Sequence, residues 1–133
     1  MLRFAFAVLV GLAVAGSSFA QNKTLADRLK DAGLEGKPFS LVIGGKVKKD
    51  KIEEFRKLAL TAQTETAKEK GCVVYTFYFH GEDDASFTLI ETWKDVASID
   101  EHMKTDYTKQ LVACFGTHID GKISNTIAKE LKK

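Results

Sequence analysis

Apolar residues recur at every second position along Ser86–Trp93, a pattern typical of a β-strand that buries one face. That face also carries a carboxylate and an indole, because it consists of Phe87, Leu89, Glu91 and Trp93. Two residues after the tryptophan, Asp95 is placed to cap a helix. We therefore expect the chain to turn at Lys94-Asp95 from this strand into a helix.

The helix predicted after Asp95 has a narrow apolar stripe. Val96, Ile99 and Met103 follow helical spacing, and His102 lies beside them. A strand-to-helix corner of this kind should bring an indole, a carboxylate and an imidazole into one neighbourhood. These three side chains belong to Trp93, Glu91 and His102.

The segments before this corner fit a strand and a long helix. Phe39–Val47 alternates between apolar and other residues, and the pair Gly44-Gly45 within it indicates a β-bulge rather than a close approach of another group. Asp50 is placed to cap a helix that runs to about Lys70, where Gly71 would end it. Lysine, arginine and glutamate fill most other positions, so one helix face should be solvated.

Three further segments complete the pattern. Cys72–Phe79 is apolar on both faces, as in a strand that is covered on both sides, and the acidic turn Gly81–Ala85 would join it to the next strand as a hairpin. Thr105 or Asp106 can begin another short helix. The last predicted strand is His118–Ile127.

The resulting element order, β-α-β-β-α-α-β, predicts an α+β fold of the ferredoxin-like, split βαβ type. Its four antiparallel strands would form one sheet with helices on one face. Because the strand Cys72–Phe79 is apolar on both faces, the helix-free face needs a cover as well. No residues remain to supply that cover, so we expect a homodimer formed through the sheet face.

The N-terminal residues read as a secretory signal rather than as part of the fold. Residues 1–20 contain a basic start, an apolar run and small residues near Ala20, which predicts cleavage after Ala20 and a periplasmic or secreted protein. About a dozen apolar residues are too few for a membrane-spanning helix, which needs ~20. Residues 21–38 would form an extension with a short helix over Asn22–Leu34, residues 39–128 the domain, and residues 129–133 a solvated tail.

Charge and composition exclude several classes of partner. The formal net charge of +2 falls to +1 without Arg3, and the lysines alternate with acidic residues, so neither nucleic acid nor, after signal cleavage, a membrane is an expected partner. The three histidines lack metal-ligand spacing, and there is no glycine-rich phosphate loop, so no metal and no cofactor is expected. Cys72 and Cys114 lie in apolar contexts that favour buried free thiols, although export would permit a disulfide.

The combination of Gly71-Cys72 at the start of the second strand, the face Phe87, Leu89, Glu91 and Trp93, and His102 nine residues after the tryptophan resembles the antibiotic biosynthesis monooxygenase (ABM) family. The resemblance implies a dimeric α+β barrel with a pocket between sheet and helices in each protomer. Some members oxygenate quinols or polycyclic phenols without metal or flavin, and others degrade haem or have no assigned activity. Residues 39–128 would form the ABM-like domain.

The resemblance transfers only to matching residues. It implies that Trp93 lines the pocket and that His102 is the helix histidine of quinol-oxidising members. Haem-degrading members use an asparagine on the first strand and a histidine on the later helix, whereas this chain has Gly44 and Gly45 on the strand and no histidine in Tyr107–Phe115. The resemblance therefore disfavours haem degradation.

The chemistry of these residues leaves two hypotheses of different classes. In a cofactor-independent monooxygenase that oxidises a small aromatic or quinol, His102 would be the general base and Trp93 would stack on the ring. Other side chains would bind the substrate, namely Tyr75, Phe77, Glu91 and Tyr107. Alternatively, the same residues fill the core of a non-catalytic dimeric module that binds a small molecule or only itself, with Glu91 holding the corner in place.

Overall fold

The computed structural model describes residues 23–131, so the predicted signal sequence and its cleavage point lie outside the described residues. Four antiparallel strands form one sheet: β1 (Phe39–Lys46), β2 (Cys72–His80), β3 (Ser86–Trp93) and β4 (Ser124–Ala128). Four α-helices accompany them: α1 (Leu25–Asp31), α2 (Ile52–Thr66), α3 (Val96–His102) and α4 (Asp106–Phe115). Within the described residues, no helix is long and apolar enough to cross a membrane.

The strand order β2-β3-β1-β4 confirms the ferredoxin-like, split βαβ prediction. The strands β1 and β3 pair along their whole lengths, from Phe39↔Trp93 to Lys46↔Ser86. The face of β3 predicted to be buried is buried at all four positions: Phe87, Leu89, Glu91 and Trp93. The core therefore lies between this face of the sheet and the helices.

The predicted bulge at Gly44-Gly45 is wrong, because β1 and β3 pair without interruption there. The rejected alternative, a close approach, is what the structure contains. A Cβ on Gly45 would lie 2.9 Å from Cδ1 of Ile123 and 3.0 Å from the ring of Phe87. The irregularity in the sheet occurs instead in β2, between Cys72 and Val74.

The predicted cap and end of the long helix are wrong as well. A single 3-10 turn, Lys49–Lys51, includes Asp50 and leads into α2, and no side chain caps the start of α2. The helix ends at Thr66, and two i→i+3 bonds, from Lys68 N to Glu65 O and from Glu69 N to Thr66 O, tighten the chain after it. This turn directs Glu69 back toward the core.

Gly71 does not end α2, but it allows the α2–β2 connection to pack closely against α3. A Cβ at this position would lie 2.0 Å from Oγ of Ser98 on α3, which is closer than any real contact. The glycine is therefore required by the packing of the α2–β2 connection against α3 rather than by helix termination.

The helices after β3 begin where the sequence predicts. The Asp95 carboxylate accepts a 2.8 Å hydrogen bond from Ser98 N and caps α3, and Thr105 caps α4. The predicted stripe on α3 is only partly right, because the helix ends at His102 and Met103 is partly exposed. The imidazole therefore takes the third buried position of the stripe, after Val96 and Ile99.

The ends of the chain differ from their predictions in length. The N-terminal helix α1 is capped by Thr24 and spans seven residues rather than the whole of Asn22–Leu34. The last strand begins only at Ser124, because Gly121 adopts a left-handed conformation (φ +87°) and breaks the strand predicted from His118. Cys72 and Cys114 are both free thiols.

Candidate functional site

A small cavity of about 120 Å³ lies between the sheet and the helices α3 and α4. Leucine, isoleucine, valine, methionine and phenylalanine side chains form most of its wall. The polar side chains that reach it come from five positions: Tyr75, Glu91, His102, Thr108 and Asn125. A mostly apolar, partly open cavity with a few converging polar groups has the composition of a small-molecule site.

His102 is 2 % exposed and reaches the cavity from the last turn of α3. Its Nδ1 lies 2.8 Å from Oε1 of Glu69, in the turn that follows α2. A carboxylate can only accept, so Nδ1 carries the proton and donates it to Glu69. The Tyr107 hydroxyl donates to the same carboxylate oxygen, which holds Glu69 in place.

This pairing leaves Nε2 as the accepting nitrogen of a neutral imidazole. Oγ1 of Thr108, another lining residue, is 3.1 Å from Nε2 and can donate to it. Glu69, His102 and Thr108 thus form a chain from a partly exposed carboxylate to the cavity wall. An imidazole oriented by a carboxylate on one nitrogen and accepting on the other has the geometry of a general base.

Glu91 is the second titratable group in the wall, and it is 5 % exposed. Its Oε2 accepts a 2.8 Å hydrogen bond from Nε1 of Trp93. Both residues lie on the inward face of β3, two positions apart, so the alternation of the strand brings their side chains together. The indole therefore orients the carboxyl group that faces the cavity.

Burial shifts the pKa values of Glu91 and His102 in opposite directions, because it favours the uncharged form of each group. Loss of hydration raises the pKa of Glu91 to about 7, although the hydrogen bond from Trp93 opposes the rise. Loss of hydration also lowers the pKa of His102, although Glu69 opposes that change by hydrogen bonding and by its charge. Near neutral pH the cavity therefore contains an uncharged imidazole and a carboxyl group that is close to half-protonated.

Of the six residues that the sequence assigned to the site, three line the cavity: Tyr75, Glu91 and His102. The ring of Tyr75 lies 5.3 Å from that of His102, and burial raises the pKa of its hydroxyl well above the usual range. Trp93 is 0 % exposed and lies behind the wall, with its ring centroid 4.7 Å from that of His102.

The other two assigned residues lie away from the cavity. Phe77 packs edge-on against Phe55 of α2, with 6.2 Å between ring centroids, and Gln63 accepts a hydrogen bond from its backbone N–H. Tyr107 contacts Glu69, and burial and that hydrogen bond raise the pKa of its hydroxyl to about 12. These contacts make Tyr107 a neighbour of the histidine rather than a wall residue.

Glu69, Thr108 and Leu25 also belong to the site, although the sequence did not predict them there. Glu69 belongs to a run of charged residues that reads as a solvated helix end, and only the turn after Thr66 brings it to His102. Thr108 lies on the inward face of α4, three residues after the cap Thr105. This spacing could have identified it as an inward-facing residue. Leu25 lies in the N-terminal extension and nevertheless lines the cavity.

Among the residues that the structure describes, no group of three or more histidine, cysteine, aspartate or glutamate side chains is arranged to hold a metal ion. The chemistry available to the cavity from this part of the chain therefore comes from an imidazole, a carboxyl group, two hydroxyls and an amide. Such groups can transfer protons and hydrogen-bond to a bound molecule.

Comparison with known proteins agrees with this fold. Residues 38–113 match the family profile described as antibiotic biosynthesis monooxygenase. An uncharacterized protein of Synechocystis sp. is 37 % identical over 81 residues, which are 59 % of this chain and 55 % of that protein. The chain thus spans about half the length of the curated relative it matches.

Solved structures share the same architecture. A conserved protein of Methanosarcina mazei superposes with a TM-score of 0.64 at 29 % identity, over 72 % of this chain and 95 % of that one. The crystal structure of an antibiotic biosynthesis monooxygenase superposes with a TM-score of 0.65 at 21 % identity, over 71 % of this chain and 99 % of that one. At 21 % identity the second likeness concerns the fold alone.

Proposed function

Because the chain belongs to the antibiotic biosynthesis monooxygenase family, we propose that it is a cofactor-independent monooxygenase that oxidises a small phenol or quinol with dioxygen. The observation that carries the proposal is the apolar cavity, whose wall holds an imidazole oriented by a carboxylate. An apolar site of this kind excludes water from a reactive phenolate and supplies one base.

The proposed reaction needs no external reductant, because the substrate supplies all four electrons that reduce dioxygen. Nε2 of His102 takes the proton of a ring hydroxyl, either directly or through Thr108, and the resulting phenolate reduces dioxygen. One oxygen atom enters the ring and the other leaves as water, so that a hydroquinone and dioxygen give a hydroxyquinone and water. Glu91, with a pKa of about 7, can donate a hydrogen bond to the developing oxyanion.

The volume of the cavity restricts the substrate. An apolar cavity of about 150 Å³ holds one benzene molecule in a protein interior. The cavity here is somewhat smaller, at about 120 Å³. A single ring would therefore fill the cavity, and ring substituents or the further rings of a polycyclic phenol would have to project through its opening.

A non-catalytic binding module is the second candidate, and one observation favours it. Both imidazole nitrogens already have hydrogen-bond partners, Glu69 on Nδ1 and Thr108 on Nε2. A histidine satisfied on both sides can have a purely structural role in a core. In that case the cavity would bind an aromatic molecule without converting it to a product.

Dioxygen uptake distinguishes the two candidates. Metal-stripped protein is mixed with a series of monocyclic hydroquinones, and uptake is followed with an oxygen electrode for wild type, His102→Ala and His80→Ala. His80 is exposed at the end of β2, so His80→Ala makes the same chemical change away from the cavity. We expect at least a hundredfold loss in His102→Ala, in line with the loss of a general base, and none in His80→Ala.

Two outcomes would contradict the proposal. Equal uptake in wild type and His102→Ala would remove the histidine from the mechanism. Saturable binding of a hydroquinone without uptake would favour the binding module.

We also propose that the protein is exported and acts as a homodimer. Export rests on the signal-like residues 1–20, and recovery of a chain that begins at Gln21 from the periplasm or medium would test it. Dimerisation rests on apolar side chains on the sheet face without helices, where Tyr78 is 53 % exposed and Val42 and Val74 are also exposed.

A further inference from the structure

The N-terminal helix α1 forms part of the cavity wall, although it precedes the region 38–113 that defines the family. Its first residue, Leu25, lines the cavity together with Ile99 and Met103 of the α3 segment. The same three residues also line a shallow groove on the adjoining surface. Leu25 therefore stands at the rim, between the interior of the cavity and solvent.

Several contacts hold α1 in place, so it forms a fixed wall. Leu29 and Leu34 are fully buried in the main core. A capping box joins Thr24 and Asp27, in which Asp27 N donates a 3.1 Å hydrogen bond to Oγ1 of Thr24. At the other end, Nζ of Lys129 donates a 3.0 Å hydrogen bond to the carbonyl of Ala32.

We propose that Leu25 is a specificity-determining residue that limits the length of the aromatic molecule the cavity admits. The side chain occupies space at the rim that the second ring of a bicyclic phenol would need. Ile99 and Met103, which line the cavity with Leu25 at the rim, are apolar, so shortening Leu25 would extend the cavity without leaving a buried polar group unpaired. The inference rests on the proposed function only in that an aromatic molecule must enter the cavity.

The test measures binding in the absence of oxygen, so it does not depend on turnover. Phenol and 2-naphthol are titrated under nitrogen by calorimetry into wild type, Leu25→Ala and Leu60→Ala. Leu60 is 63 % exposed on α2 and does not line the cavity, so Leu60→Ala is the matched control. We expect Leu25→Ala to increase the affinity for 2-naphthol relative to phenol by about tenfold. This is the lower end of the effect that adding or removing one methylene has in an apolar pocket.

A second variant works in the opposite direction and keeps α1 well packed. Leu25→Phe enlarges the side chain at the rim and should weaken binding of 2-naphthol relative to phenol. An unchanged ratio of the two affinities in both Leu25 variants would overturn the inference, as would an equal change in Leu60→Ala. Failure of every protein to bind either phenol would overturn it too.

The outcomes separate this inference from the proposed function. If the ratio of affinities changes as expected but no variant consumes dioxygen with hydroquinones, Leu25 limits ligand size in a binding module and the enzyme proposal fails. If dioxygen uptake depends on His102 but the ratio is unaffected by Leu25, the enzyme proposal stands and the role of Leu25 is refuted.

Discussion

Nε1 of Trp93 donates a 2.8 Å hydrogen bond to Oε2 of Glu91, so the indole behind the cavity orients the carboxyl group in its wall. The same indole packs on His102, with 4.7 Å between ring centroids. One residue that does not line the cavity thus contacts both the carboxyl group and the imidazole that do. We interpret Trp93 as a positioning residue for Glu91 and His102.

Replacing Trp93 by phenylalanine should raise the pKa of Glu91 above its value of about 7. The hydrogen bond from the indole lowers this pKa by favouring the ionised carboxylate, and phenylalanine cannot donate one. A charge-assisted hydrogen bond of this type contributes about 1.5–3 kcal/mol. NMR titration of carboxyl-labelled glutamate would measure the change, and a Glu91 pKa that stays near 7 in Trp93→Phe would contradict the assignment.

Replacing Glu91 by glutamine should stabilise the protein above neutral pH. In the folded chain Glu91 keeps its proton up to about pH 7, whereas an unfolded chain releases it near pH 4.5. The unfolded state therefore binds fewer protons between these values, and stability falls as pH rises through that window. The penalty is on the order of 3 kcal/mol above pH 7, from 1.36 kcal/mol for each unit of pKa.

Urea unfolding at pH 5 and pH 8 checks this expectation. The advantage of Glu91→Gln over wild type should be small at pH 5 and largest at pH 8, because the amide retains an acceptor for Trp93 but never ionises. Glu101→Gln, an exposed change on α3, serves as the control. An advantage that is the same at both pH values would show that Glu91 does not ionise with a raised pKa.

Replacing Glu69 should change the protonation of His102 without touching the cavity wall. The Glu69 carboxylate raises the pKa of His102 against the lowering effect of burial, so Glu69→Gln should lower that pKa further. The amide oxygen of glutamine can still accept from Nδ1 and keep the tautomer, whereas alanine cannot. We expect Glu69→Gln to keep most of the dioxygen uptake and Glu69→Ala to lose about tenfold or more.

Nitrogen-15 NMR of the imidazole reports both effects. The spectrum of wild type near neutral pH should show the proton on Nδ1, and Glu69→Ala should show a mixture of tautomers. If wild-type His102 carried its proton on Nε2, the proposed direction of the proton transfer would be wrong.

Introducing a charge on the helix-free face of the sheet should separate the proposed dimer. Tyr78→Glu places a carboxylate where we expect a partner chain, and burial of an unpaired charge costs several kcal/mol. A loss of about 3 kcal/mol would weaken association about a hundredfold. Light scattering after size exclusion should give a dimer for wild type and for Leu60→Glu on α2, and a monomer for Tyr78→Glu; a monomeric wild type would refute the proposal.

Features that depend on neighbouring residues in the chain could be predicted from the sequence, whereas features that depend on distant residues could not. The strand Ser86–Trp93 and the caps Asp95 and Thr105 were predicted correctly, because alternation and capping depend on residues within four positions of one another. The roles of Gly45 and Gly71 were not, because they depend on Phe87 and Ser98, which approach only in the folded chain.

The same distinction between local and long-range interactions applies to the candidate site. The period of β3 and the start of α3 determined that Glu91, Trp93 and His102 share the inward side of one corner, because their relative directions follow from local backbone geometry. Only the tertiary structure decided that Glu69 orients the imidazole, that Trp93 lies behind the wall, and that Leu25 closes the rim. Glu69 and His102 are 33 positions apart in the chain, and Leu25 is 74 positions from Ile99, with which it lines the cavity, so both arrangements depend on how the helices pack on the sheet.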